Sequence, residues 1–201
     1  MAGEFRPGEY LRTETLAADL DVSATPVREA LMMLHSDGSV RWEQRRGFRV
    51  VAISDQDVRD LFGVQAFIAS DLAARAAVTL ADDDFPRLRA LQVRLEEAAD
   101  ISDVAAVDRL NHEIHRIINK SSGSERLLGL LVQTVQFVPF RFFGTIEGWS
   151  RASAHDHAPI FDALEARDSE RARKAMQEHI THIGELLVHH LQSQREEAQT
   201  S

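Results

Sequence analysis

The sequence predicts a mainly α-helical protein in two parts. These are an N-terminal winged helix-turn-helix domain over residues 1–53 and an all-helical bundle of about six helices over residues 54–201. Three observations carry this reading. Leu16 to Leu31 has the layout of two short helices around a tight turn. Two alternating runs joined by an arginine-rich tip follow between Val40 and Ala52. From residue 55 onward apolar residues recur at helical spacing, with no further strand pair.

The helix-turn-helix is legible residue by residue. Leu16, Ala17 and Leu20 share one helix face, and Asp21-Val22 interrupts the run. Ser23 or Thr25 can cap a second helix, and Pro26 is tolerated in a first turn, where backbone N–H groups lack intrahelical partners. Val27, Ala30, Leu31 and Leu34 return at helical spacing, and Asp37-Gly38 marks the stop. Such a pair is either a plain helical corner or a reader of the DNA major groove. The flanking hairpin favours the second. Val40 and Trp42 alternate with Arg41 and Glu43, and Phe48, Val50 and Ala52 alternate on the other side of Gln44-Arg45-Arg46-Gly47. A basic hairpin beside a recognition helix is a wing, with Arg41, Arg45, Arg46 and Arg49 placed to meet a phosphate backbone.

Charge narrows the reading further. The chain carries a formal net charge of −9, which argues against passive coating of nucleic acid. Residues 1–50, however, hold seven Lys/Arg against eight Asp/Glu, with the arginines gathered near the hairpin. DNA affinity follows local placement rather than total charge. There is no cysteine, which excludes a disulfide framework, a thiol catalyst and a thiolate metal site. No signal peptide or long uninterrupted apolar span is evident, so a cytoplasmic location without a membrane partner is expected.

In the second part, Ile53-Ser54-Asp55 reads as a connector. Helices are expected over residues 55–80, 83–99, 103–119, 127–143 with a bend near Pro139, 150–165 and 168–194. Asn111 and His115, four apart, share one helix face, with His112 a competing neighbour. His155 and His157 point differently, His179 and His182 lie three apart, and His189 and His190 sit at a polar terminus. A lone histidine is more often a surface or satisfied core group than a ligand. Several neutral imidazoles with an amide oxygen nevertheless suit a borderline divalent cation such as zinc or nickel. On spacing alone His112, His155 and His182 remain alternatives.

The chain resembles the GntR superfamily of transcription regulators, in the FadR-like subgroup with a helical FCD effector domain. The matching residues are Pro7-Gly8-Glu9-Tyr10-Leu11, Leu16-Ala17, Val22 to Leu31 and Gly47, then Asn111-His112-Glu113-Ile114-His115, His157 to Leu164, Asp168 and Glu178-His179-Ile180. The resemblance implies a homodimer that binds a double-stranded DNA operator, a repressor released when a small carboxylate enters the bundle. It also implies a divalent metal held by Asn111, His115, His157 and His179, and DNA contacts from Ser23, Thr25, Arg28, Arg45, Arg46 and Arg49. The chain departs from the pattern in several places. It begins almost at Pro7-Gly8, so the first helix usual ahead of that motif is expected to be missing and the winged helix to bury less apolar surface. Glu14 and Ala24 stand where arginines are common, Gln65 and Ala69 where arginine and glutamate are, and Asn111 where aspartate is.

Two other classes stay open at this stage. One is a helical dimer whose winged helix no longer binds DNA. The other is a metal-dependent enzyme with Glu113 or Asp156 as base, although Glu113 points to a different helix face from Asn111 and His115. The alanine-rich run 66–77 is a candidate dimer seam.

Overall fold

The structure is a computed structural model that describes residues 5–135, 146 and 148–200. The chain divides into two compact units, Met1–Ser54 and Asp55–Ser201.

The first unit is a winged helix. Strand β1 (Tyr10–Leu11) precedes α1 (Thr13–Asp19) and α2 (Ala24–Ser36), and the hairpin β2 (Val40–Glu43) and β3 (Gly47–Val50) follows. Asp21 turns the chain between the helices with φ +52°, and Ser23 is the N-cap residue of α2, although its side chain makes no capping bond. The hairpin was expected; β1 was not. It pairs antiparallel with β3 (Tyr10 opposite Arg49, Leu11 opposite Phe48) and gives the sheet order β1-β3-β2. Two residues are too few to show alternation, so this strand exists only through its partner. Gly47 makes the pairing possible: its φ is +94°, and a Cβ there would stand 2.8 Å from the Leu11 carbonyl oxygen. The core is small, comprising Leu11, Ala17, Val27, Leu31, Val40 and Phe48. Leu20, Met33 and Leu34 stay exposed.

The second unit is helical throughout its described residues. It comprises α3 (Asp55–Thr79), α4 (Asp84–Asp100), α5 (Val104–Ser121), α6 (Glu125–Val135), α7 (Trp149–His155), α8 (His157–Glu165) and α9 (Ser169–Thr200). The core helix is α3, packed on α9, α6, α5 and α8. Among the described helices it alone is long and apolar enough to cross a membrane, but 61% of that window is buried inside the protein. Leu72, Leu88, Leu95, Ile114, Ile118, Ile160, Leu164 and Met176 fill the interior.

Two expectations are corrected here. Residues 150–165 do not form one helix. The break falls at Asp156, whose N–H closes α7 on the Ala152 carbonyl, and α8 starts at His157. Pro159 explains it: a proline inside a continuous helix would lose the bond to residue 155 and clash with its carbonyl, whereas in the first turn of a new helix it costs nothing. The alanines of the run 66–77 do not form a free seam either, although Phe67 in the same run is exposed. Ala66, Ala69, Ala73, Ala74, Ala76 and Ala77 are all buried within the unit itself. The expected bend near Pro139 lies outside the described residues.

Candidate metal centre and nucleic-acid interface

Three helices supply the polar centre of the bundle. On α5, Asn111 and His115 lie on the side that also carries buried Ile114 and Ile118. On α8, His157 opens the stripe Ile160, Phe161 and Leu164. On α9, His179 interrupts the buried row Ala172, Met176 and Ile183. An imidazole in register with such a stripe is carried inward with it. The candidate ligand atoms of His115, His157 and His179 lie within 4.8 Å of one another. The His115 and His179 Nε2 atoms are 3.2 Å apart, and the rings of His157 and His179 sit edge to face with centroids 4.9 Å apart.

The competing histidines take other places. His112 and His155 are exposed, and His182, also exposed, meets the Asp156 carboxylate at 2.7 Å. Glu113 faces elsewhere, paired with Arg87 at 2.8 Å.

The electrostatics favour neutral rings. Burial, reinforced by His179 and His112, pushes His115 down to about 3. Burial, reinforced by His179 and His115, holds His157 well below the usual imidazole value. Burial alone would push Asp156 up, but its contacts with His179 and His182 keep it below the usual carboxylate range.

Several buried atoms lack a hydrogen-bond partner, among them Asn111 Oδ1 and His157 Nε2. Lone pairs buried without a donor are costly. Three clustered imidazoles and an amide oxygen from the same face of α5 form a donor set that suits zinc or nickel, and a bound cation would satisfy those lone pairs.

Behind the histidines stand residues that the sequence reading did not pick out as partners. Gln92 on α4 bonds His157 Nδ1 at 2.9 Å, and Asp156 lies 3.5 Å from His179 Nδ1. The signal for Gln92 was available, since it is a polar residue on the apolar stripe of Leu88, Leu91 and Leu95.

In the first unit, Val27 and Leu31 turn inward from α2, and Ser23, Thr25 and Arg28 are exposed. Arg28 and Arg45 make no ion pair or side-chain hydrogen bond among the described residues. Arg45 stands at the hairpin tip with φ +66°. The other two wing arginines are engaged locally. Arg46 donates to the Tyr10 hydroxyl at 3.1 Å, Arg49 donates to the Gly8 carbonyl at 3.2 Å, and each guanidinium lies 5.8 Å from the Tyr10 ring centroid. Tyr10 in turn donates to Glu43 at 2.8 Å. These arginines fasten β1 to the hairpin while remaining exposed.

Comparison with known proteins agrees with both units. Residues 1–50 match the gntR family of bacterial regulatory proteins, and residues 60–182 match the FCD domain. The HTH-type transcriptional regulator YdhC of Bacillus subtilis (strain 168) is 27% identical over 96% of this chain and 88% of its own length. The HTH-type transcriptional repressor GlaR of Escherichia coli (strain K12) is 28% identical over 89% of this chain and 86% of its own. The solved structure of E. coli McbR/YncC superposes with a TM-score of 0.70 at 23% identity, covering 94% of this chain and 91% of that one, which establishes the shared fold. The chain belongs to the gntR family of bacterial regulatory proteins in the group with an FCD domain, and is a sequence-specific DNA-binding transcription regulator rather than an enzyme.

Proposed function

We propose that the protein is a homodimeric, metal-loaded repressor that leaves its operator when a small carboxylate joins the metal. The observation that carries this reading is the convergence of the His115, His157 and His179 imidazoles inside the FCD domain, with Asn111, whose buried side-chain oxygen has no hydrogen-bond partner, one turn before His115 on α5. Asn111, His115, His157 and His179 are the proposed ligands. The ion, zinc or nickel, would supply a Lewis-acidic centre with open positions. All four donors are neutral, so the site keeps the full +2 charge and favours an anionic effector over a neutral sugar. Affinity falls with pH as protons compete for the imidazoles.

In the first unit, Ser23, Thr25 and Arg28 are placed to meet the major groove, and Arg45, with Arg46 and Arg49 behind it, to meet backbone phosphate. That GlaR is named a repressor supports the sign of regulation. An operator as partner fits a cytoplasmic location.

The test combines metal analysis with fluorescence anisotropy on the intergenic DNA upstream of the protein's own gene. Protein purified without chelator is expected to hold about one metal per chain. His157→Ala and His179→Ala should lose it, and His155→Ala and His182→Ala should keep it. Arg28→Ala should weaken operator binding at least tenfold, since a bidentate arginine–base contact is worth roughly 1–3 kcal/mol and a dimer loses it twice. A wild type that takes up neither zinc nor nickel overturns the metal site. Metal binding without preference for any duplex would favour the dimer that has lost DNA binding.

A further inference from the structure

We propose that Gln92 is a positioning residue for the metal site: its side-chain amide locks His157 in the tautomer that turns the Nε2 lone pair into the cluster. The inference rests on the metal reading given above and concerns a residue on a different helix from any proposed ligand.

The amide has only one orientation that fits its neighbours. One of its two polar atoms lies 2.5 Å from the Ala154 carbonyl oxygen and 2.8 Å from the Glu96 carboxylate. Both neighbours only accept hydrogen bonds, so that atom must be the NH2 group. The other atom is therefore the carbonyl oxygen, and it lies 2.9 Å from His157 Nδ1. A carbonyl oxygen only accepts, so Nδ1 must carry the proton. In a neutral ring the remaining nitrogen, Nε2, then holds a lone pair. That atom is buried and has no hydrogen-bond partner among the described residues. An ion would meet it without any change of tautomer. The general counterpart is that a metal-bound histidine donates its far N–H to a fixed acceptor, which sets the ring and its basicity.

The break between α7 and α8 gives Gln92 its place. In a continuous helix the Ala154 carbonyl would accept from the backbone N–H of residue 158. With the chain interrupted at Asp156, Gln92 donates to that carbonyl on one side of the break and accepts from His157 on the other. Gln92 could thus be only a staple for the break, through its donor side, or the tautomer lock, through its acceptor side. Two substitutions separate these roles. Gln92→Met has similar volume and removes both. Gln92→Glu removes the donor toward both Ala154 and Glu96 and keeps an acceptor toward His157.

The readouts are the His157 tautomer in metal-free full-length protein, from long-range 15N–1H correlation of the imidazole, and zinc affinity by chelator competition. The expected wild-type tautomer is Nδ1–H. In Gln92→Met the ring should populate the Nε2–H form and zinc affinity should drop about 10–100-fold. In Gln92→Glu the Nδ1–H form should persist and affinity should stay within about threefold of wild type, the contrast expected when the acceptor is what positions the ring. The proposal is overturned if wild-type His157 carries its proton on Nε2, if Gln92→Met keeps both tautomer and affinity, or if Gln92→Glu falls as far as Gln92→Met. Should Gln92→Met fail to fold, the wild-type tautomer and the Gln92→Glu affinity still decide. A wild type that binds no zinc refutes the metal reading alone, because the tautomer is measured without metal.

Discussion

At the scale of single residues, the histidine cluster makes the metal-free protein sensitive to acid. His115 and His157 are pushed below their unfolded value of about 6.5, so below that pH the unfolded chain binds protons that the folded chain refuses. Their contribution is intact above about pH 6.5 and is lost as pH falls toward the folded values. Each costs up to about 1.4 kcal/mol per pH unit in that window. Asp108 on α5 acts in the opposite sense. Burial raises it to about 6, so the cost of its buried charge is relieved as pH falls through that value. Asp156, held low, matters only below the ordinary carboxylate range. In chelator-treated Asp108→Asn protein, urea unfolding should therefore lose about 2–3 kcal/mol between pH 7.5 and 5.5, and wild type somewhat less. A flat profile in the variant would mean that the two rings are not buried neutral. Much of this cluster was readable before the fold was known. Spacing left His179 and His182 as equals, but His179 shares a row with Met176 and Ile183 whereas His182 does not. His157 likewise shares a row with Ile160, Phe161 and Leu164. The contacts of Gln92 and Asp156 were not readable, because each joins helices far apart in sequence, and one of them depends on a carbonyl freed by a helix break.

Among the elements, the pairing of α3 with α9 is the tightest seam of the bundle. A Cβ on Gly184 of α9 would stand 2.8 Å from both Cβ and Cγ of Phe62 on α3. Those atoms lie next to the backbone of α3, and Phe62 is buried, so the ring has nowhere to retreat. Gly184→Ala gains up to about 1 kcal/mol of helix propensity. Overpacking costs about 1–3 kcal/mol, and here the steric contact should win. The expected result is a lower thermal midpoint, with the loss shrinking when Phe62→Ala is combined with Gly184→Ala, since the smaller side chain removes the clash. Additive losses would show that the two residues do not limit the helix approach. Helical periodicity revealed the long elements because their apolar rows face a core. It did not reveal β1, which two residues form only against β3, nor the break at Asp156. Pro159 carried the signal for that break, but its tolerance in a first turn was not weighed against its cost inside a longer helix.

For the whole molecule, the question is which surface a second copy covers. Small residues in a helix suggested a seam at 66–77, but the core uses those alanines against the protein's own helices. The outward side of α3 carries larger groups: Val64 is 50% exposed, Phe67 74% and Val78 67%, with Asp71 and Arg75 paired at 2.7 Å between them. These positions recur at helical spacing along one stripe. On α6, Leu130, Val132 and Val135 are exposed as well. A two-fold interface uses the same patch on both copies, so each apolar residue counts twice. It also matches an operator with two half-sites, which a single winged helix could not span. Burying one phenylalanine gives roughly 1.5–3 kcal/mol, so losing Phe67 from both copies should weaken association by about 100-fold or more. Phe67→Glu adds two unpaired charges to the same seam and should yield a folded monomer in sedimentation at micromolar concentration. Helical circular dichroism should remain intact and operator affinity should fall, because each half-site must then be bound separately. Ala76→Ser, at a position already buried in the bundle, should leave the dimer in place even where it lowers the thermal midpoint. A Phe67→Glu protein that remains dimeric would place the two-fold contact elsewhere and leave the exposed stripe of α3 to another partner.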